Sequence, residues 1–190
     1  MKIKAFAVLD TNVLVSAVIS SSGYPYDILR LIQSGNVIPI YDERMLNEYK
    51  EVFHYDKLKI SEETFQQTFT LILKSGLLIQ DVETTKAQLL DQSDIPFFEV
   101  KESSEELSSY LVTGNLKHFP ESDSIVTPRE LINIMKMFDR FLQKDFDYEK
   151  AVQELRSSQE ATSKYTSGKE IIDKLFDEKK KTVKRDYLDR

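Results

Sequence analysis

Residues 5–17 of this chain read AFAVLDTNVLVSA. A short apolar run ends at Asp10, and an apolar pattern with helical spacing follows it. This pattern indicates a buried strand, then a helix, with a carboxylate at the C-terminal end of the strand. Open α/β sheets carry their sites at that end of the strands. We therefore predict that Asp10 stands at a functional site and that an α/β fold is organised around this strand.

Composition limits the classes of protein to which this chain can belong. Of its 190 residues, 41% are hydrophobic and 31% are charged, which is typical of a globular domain with an appendage. Cysteine is absent, which excludes disulfides, thiolate zinc sites and a cysteine nucleophile. No apolar run approaches the roughly 20 residues that span a bilayer, and no long apolar segment of a signal peptide follows the first residues. We therefore expect a cytoplasmic protein without a membrane segment.

The formal net charge of −6 is unevenly distributed. Residues 1–140 hold 14 Lys+Arg against 21 Asp+Glu, whereas residues 141–190 hold 12 against 11. This surplus of acid argues against a general nucleic-acid binder that acts through phosphate contacts. It remains compatible with a nuclease whose acids are masked by divalent cations.

Strands alternate with helices along the first 140 residues. The predicted strands are 3–9, 37–41, 77–79, 110–113 and 124–128. The predicted helices are 13–19, 26–33, 45–53, 61–75, one entered at Pro96, and one running from Pro128 to Phe138. Pro39 either weakens the prediction of the second strand or places that strand at an edge. The alternation predicts a three-layer α/β/α fold with a central parallel sheet.

The pattern changes beyond residue 140. We predict a first domain at 1–140 and a helical, partly flexible C-terminal extension at 141–190, with a polar linker at 157–168. Residues 169–181 place Ile171, Leu175 and Phe176 on one helical face. Such a stripe could dock on a partner or on the first domain. A solvated tail is the open alternative.

Further polar side chains stand where other elements begin or end. Glu48 lies in the helix at 45–53, Asp94 precedes the helix entered at Pro96, and Asn115 follows the strand at 110–113. Clustered oxygen ligands are what Mg²⁺ or Mn²⁺ requires. Each residue also has a structural explanation, since acids and Asn at such places are often caps, turns or solvated side chains. The two histidines, His54 and His118, have no nearby acid at metal or triad spacing, and we assign both to surface or core.

Five segments match one family in the same order: LDTNVLVSA at 9–17, LNEYKEVF at 46–53, DQSD at 91–94, LVTGNLKHFP at 111–120 and VTPREL at 126–131. Together they resemble the PIN-domain family, and within it the VapC-like bacterial toxins of toxin–antitoxin systems. The resemblance covers about residues 3–138. It implies a parallel sheet flanked by helices and a metal-dependent ribonuclease activity.

By this resemblance, Asp10, Glu48 and Asp94 are the metal-binding acids. Asn115 occupies the position at which many members have a fourth Asp, and it completes the predicted catalytic set. The loss of that charge implies that a second metal binds weakly or only with substrate. Residues 97–104, FFEVKESS, replace the small, alanine-rich helix face that is usual in the family.

The resemblance also implies supporting roles for neighbouring residues. Thr11 and Thr113 would support the acids from behind, and Asn12 would orient Asp10. Independently of the resemblance, the basic residues near the rim of the predicted site, Lys117 and Arg129, with Lys50 as a further candidate, would contact phosphates that flank the cleaved bond of an RNA substrate.

Two hypotheses about function follow. In the first, the chain is an endoribonuclease in which Mg²⁺ or Mn²⁺ activates a water molecule that attacks an RNA phosphodiester. Its expected partners are RNA, an antitoxin protein and a second copy of the chain in a homodimer. In the second, the chain is a catalytically weak or inactive PIN-like module that binds protein or RNA.

Overall fold

The computed structural model describes the backbone of residues 4–141, which contain a five-stranded parallel sheet with helices around it. The strands are β1 (Ala5–Leu9), β2 (Val37–Tyr41), β3 (Leu77–Leu78), β4 (Tyr110–Val112) and β5 (Ile125–Val126). The helices are α1 (Thr11–Ile19), α2 (Tyr24–Gln33), α3 (Glu43–Phe53), α4 (Glu62–Ser75), α5 (Ile95–Ser103) and α6 (Pro128–Phe141). The predicted three-layer α/β/α fold is confirmed.

The order of the strands, β3-β2-β1-β4-β5, places β1 at the centre of the sheet. All four pairings are parallel, so the carboxyl ends of the strands lie along one edge. Asp10, Asp42 and Thr113 directly follow β1, β2 and β4. Three neighbouring strands therefore deliver polar side chains to the same edge.

Two helices begin earlier than the apolar spacing predicted. Asp10 Oδ1 accepts a hydrogen bond from Asn12 N at 2.9 Å, and Asp42 Oδ1 accepts one from Met45 N at 2.9 Å. Each carboxylate is an N-cap, which satisfies a free N–H of the first turn. As a result α1 begins at Thr11 and α3 at Glu43, each two residues before its predicted start.

The prediction that Pro39 marks an edge strand is wrong. β2 is an inner strand, paired with β1 on one side and β3 on the other. Its pairing with β3 begins at Ile40, one residue after Pro39. The missing N–H of Pro39 therefore removes no bond of that ladder, and an inner strand tolerates the proline.

Helix α5 carries the bulky segment that departs from the family pattern. The five residues Phe97–Lys101 are all buried, which is typical of a helix covered on every side. α5 contacts β1, β2, β4 and α3. The large side chains therefore fill the core behind the sheet edge.

An ionic network of two buried carboxylates and the 44% exposed Arg44 links α5 to α3 and to the segment between β3 and α5. Arg44 Nη1 lies 2.6 Å from Glu99 Oε2, and Arg44 Nε lies 2.7 Å from Asp42 Oδ2. Thr85 N donates to the other oxygen of Glu99 at 2.8 Å. Glu99 and Asp42 are only 3% and 5% exposed. Arg44 therefore compensates two carboxylates that water barely reaches.

The predicted extension at 141–190, including its apolar stripe, lies outside the described residues except for the end of α6. Among the helices that the structure describes, none is both long and apolar enough to cross a membrane.

Candidate functional site

Asp10 is held through both of its oxygens at the end of β1. It is 3% exposed, and Oδ1 accepts from the backbone N–H of Asn12. Oδ2 accepts from Thr113 Oγ1 at 2.6 Å, and the same Thr113 oxygen accepts from Asn115 N at 2.9 Å. Thr113 is fully buried behind the carboxylate. The orientation of Asp10 is therefore set before any ligand arrives.

Glu48 is brought close to Asp10 because α3 forms hydrogen bonds with both residues that flank Asp10 in sequence. Thr11 Oγ1 donates to Glu48 Oε1 at 2.6 Å. The buried neighbour of Glu48, Tyr49, donates its hydroxyl to the carbonyl oxygen of Leu9. These two bonds tie α3 to the residues that directly precede and follow Asp10. Glu48 itself is half-buried, not a solvated helix residue.

Asp94 directly precedes α5, yet its side chain does not cap the helix. Its Oδ2 lies 2.7 Å from Nδ1 of His118, which stands in a short 3₁₀ turn, residues 116–118. Describing His118 as a histidine without a nearby acid was therefore wrong. His54 Nε2 lies 2.9 Å from Glu62 Oε2, but His54 belongs to no group of possible metal ligands among the described residues, and it lies at the surface as predicted.

The three acids influence one another electrostatically. Burial raises the pKa of Glu48, and the charges of Asp10 and Asp94 raise it further. The pKa of Asp94 is likewise raised, first by burial and then by the charge of Asp10, while the hydrogen bond from His118 acts in the opposite direction. The three carboxylates thus share one electrostatic environment, in which a cation would relieve their repulsion.

The donor atoms present fit a hard divalent cation. In the part of the chain that the structure describes, Thr11 and His118 each engage one oxygen of Glu48 and Asp94, and Glu48 Oε2 and Asp94 Oδ1 accept no hydrogen bond. Each oxygen of Asp10 also keeps a second lone pair. Carboxylate oxygens of this kind are the ligands that Mg²⁺ and Mn²⁺ prefer.

A tighter group of possible ligands surrounds Asp94. Over residues 4–139, Asp91, Asp94 and His118 are the one trio of acids and histidines whose ligand atoms all lie within 4.8 Å of one another. Asp91 is exposed, and its Oδ1 is engaged by the N–H and hydroxyl of Ser93. Asp10, Glu48 and Asp94 are thus less closely gathered than this trio, although their charges interact.

The remaining predicted site residues make fewer contacts. The side chain of Asn115 is exposed and forms no hydrogen bond with the described residues; only its N–H, which donates to Thr113, takes part. Asn12 is also exposed and orients Asp10 through its backbone N–H. Lys117 and Arg129 are exposed, and Lys50 Nζ lies 5.3 Å from the centre of the Phe69 ring.

Replacing Glu48 by Gln should raise the thermal midpoint of the metal-free protein at pH 7. Gln keeps an oxygen for Thr11 and removes a charge that Asp10 and Asp94 oppose. Because folding raises the pKa of Glu48 above its ordinary value of 4.5, stability falls as the pH rises from that value through the folded pKa. The advantage of Glu48→Gln should therefore shrink as the pH is lowered from 7 to 4.5.

Differential scanning fluorimetry in EDTA would measure this effect. Glu63→Gln is the matched control, since Glu63 is an exposed helical residue and its hydrogen bond from Gln67 survives the change. An equal or lower midpoint for Glu48→Gln at pH 7 would contradict the expected repulsion.

Comparison with known proteins gives one finding about the family. A family model described as "PIN domain" matches residues 7–117, which is more than half of the chain. No curated protein and no solved structure matches the chain significantly. The matched range contains Asp10, Glu48, Asp94 and Asn115.

Proposed function

Because this chain belongs to the PIN-domain family, a family of nucleases, we propose that it is a divalent-metal-dependent endoribonuclease. The observation that carries the proposal is the group of three carboxylates at the carboxyl edge of the sheet. Asp10, Glu48 and Asp94 come from three separate elements and interact through their charges. Repulsion of this kind destabilises the metal-free protein and is the expected signature of a cation site.

We assign Asp10, Glu48 and Asp94 as the residues that would hold Mg²⁺ or Mn²⁺. Asp10 is fixed by Asn12 and Thr113, whereas Glu48 and Asp94 each offer an oxygen that no described residue occupies. The bound cation would lower the pKa of a water molecule and offset charge on the phosphodiester. Among the described residues, the Asn115 side chain forms no hydrogen bond with the acids, which supports a site with one firmly held cation.

The residues that would grip the substrate lie on the same edge as the acids. Lys117 belongs to the 3₁₀ turn that also contains His118, and Arg129 stands in the first turn of α6, directly after β5. Both side chains are exposed. We propose that they contact phosphates on either side of the cleaved bond, which would hold an anionic strand against an otherwise acidic pocket.

We extend the proposal to a cellular role on the resemblance alone. The segments at 9–17 and 111–120 resemble those of bacterial PIN toxins. On that basis the chain would be the cytoplasmic toxin of a toxin–antitoxin pair, with an antitoxin protein as its partner and a homodimer as its assembly.

The proposal is tested by incubating the full chain with end-labelled single-stranded RNA and, separately, single-stranded DNA of the same sequence. We expect RNA to be cut internally with Mn²⁺ or Mg²⁺ and to stay intact with EDTA. RNA cleavage in EDTA would overturn the metal-dependent mechanism, and cleavage of DNA alone would overturn the assignment of RNA as substrate.

Asn115 favours a second candidate, an inactive PIN-like module that binds a partner. Its exposed side chain replaces the fourth acid and contacts none of the other three. Calorimetric titration with Mn²⁺ separates the candidates, because the binding module needs no cation at these acids. Tight Mn²⁺ binding that is lost in Glu48→Gln would favour the nuclease.

A further inference from the structure

We propose that His118 is a positioning residue, which fixes Asp94 through one oxygen and so leaves the other for the cation. The inference rests on the proposed function, since it presumes a cation at Asp94. Neither the family model nor the resemblance singles out this histidine. Its role emerges from its contact with Asp94 and from the packing beside it.

The first argument is the contact itself. His118 Nδ1 lies 2.7 Å from Asp94 Oδ2, and among the described residues no other side chain or N–H bonds to the Asp94 carboxylate. An ionised carboxylate can only accept, so the imidazole donates through Nδ1–H. The side chains are 13% and 35% exposed for Asp94 and His118, so water competes little for the carboxylate oxygen. Without His118, Asp94 would be free to rotate.

The second argument is the packing of the next residue. Phe119 is buried, and its ring lies 6.4 Å from that of Phe98, centre to centre. Phe98 stands four residues after Asp94, one turn further along α5. His118 and Phe119, two consecutive residues of the loop after β4, thus contact Asp94 and Phe98, which lie one helical turn apart. This pairing fixes the 3₁₀ turn against α5 and keeps His118 within reach of Asp94.

The third argument is that the same loop also holds Asp10. Thr113, at the start of the loop, donates to Asp10 Oδ2, and Asn115 N donates to Thr113 in turn. Residues 113–118 therefore contact the acid that ends β1 at one end and the acid that precedes α5 at the other. A single rigid loop sets the spacing between two proposed ligands.

The test is calorimetric titration of the metal-free full chain with Mn²⁺, for wild type and the variants His118→Ala and His118→Asn. We expect His118→Ala to weaken binding about 10- to 100-fold, which is typical of a lost partner of a metal ligand. His118→Asn should recover most of the affinity, because its amide can donate from about the position of Nδ1. His54→Ala, at the exposed histidine paired with Glu62, should bind Mn²⁺ like wild type.

The outcomes separate this inference from the proposed function. If wild type binds no Mn²⁺, the proposed function fails and the inference falls with it. If wild type binds Mn²⁺ and His118→Ala binds it equally well, only the inference fails. Should His118→Ala be unfolded, His118→Asn decides, since affinity close to that of wild type supports positioning and a full loss contradicts it.

Two further measurements distinguish positioning from direct participation. Electron spin-echo spectra of the Mn²⁺ complex should show no nitrogen coupling from an imidazole ligand, and such coupling would overturn the proposal. RNA cleavage by His118→Ala should recover when Mn²⁺ is raised to saturation. A kcat that stays low at saturating Mn²⁺ would assign His118 to the chemistry and contradict a positioning role.

Discussion

Asp10→Asn should reduce metal-dependent RNA cleavage by at least about 100-fold, more than the loss of a supporting hydrogen bond to a ligand would cause. Asp10 is the most rigidly held of the three acids, with a hydrogen bond to each oxygen and 3% exposure. The substitution removes its charge and places an NH₂ group where one oxygen stood. Glu48 and Asp94 cannot move into the place of the lost oxygen, because each is held by its own hydrogen bond on a separate element. Initial rates of cleavage at saturating Mn²⁺ would measure the loss.

The fold should survive this change, because Asn is as good an N-cap as Asp and can still accept from the N–H of Asn12. A circular dichroism spectrum like that of wild type would verify it. Asp81→Asn is the matched control, since Asp81 is an exposed residue of the segment between β3 and α5. Wild-type cleavage rates for Asp10→Asn would remove Asp10 from the proposed machinery.

Arg44→Ala should lower the free energy of unfolding by about 2 kcal/mol, because a buried acceptor left without its partner costs about 1–3 kcal/mol and Arg44 itself is 44% exposed. It would leave the carboxylates of Glu99 and Asp42 without their cation, and both are nearly inaccessible to water. Glu99 would keep only the N–H of Thr85. Urea unfolding followed by circular dichroism would measure the change.

Two further variants test whether the loss of stability comes from the unpaired carboxylates. Arg30→Ala removes an exposed cation of α2 and should shift stability by no more than about 0.5 kcal/mol. The double variant Arg44→Ala with Glu99→Leu should recover part of the loss, because the deepest unpaired charge is then gone. If Arg44→Ala were as stable as wild type, water would have to reach Glu99 more freely than its burial indicates.

The order of elements could be predicted from the sequence because each element carries a local signal. Apolar runs precede Asp10 and Thr113, and helical spacing marks α3 and α6. The parallel sheet and the position of its carboxyl edge could therefore be predicted. The prediction of an edge strand from Pro39 failed because the missing N–H matters only if a neighbouring strand would accept a hydrogen bond from it. The pairing with β3 starts one residue later, which no local pattern reveals.

The contacts of the site could not be predicted in the same way. His118 and Asp94 are 24 residues apart, and they meet because β4 pairs with β1 and the following loop packs on α5. Arg44 and Glu99 are 55 residues apart and belong to different helices. The bulky residues after Asp94 fit the burial of Phe97–Lys101 in the core. Such contacts depend on tertiary packing, so the site residues remained predictions from motif order.

The hydrogen bond between Thr113 and Asp10 spans 103 residues, and this separation has a consequence for protein synthesis. A ribosome releases the N-terminal part of a chain first. Asp10 and Glu48 therefore emerge long before the loop that contains Thr113, His118 and Phe119. Contacts within residues 9–49 can already bring Glu48 to Asp10, but until that loop has left the ribosome Asp94 lacks its partner His118. We therefore expect the complete set of three acids to form only when the domain is nearly finished.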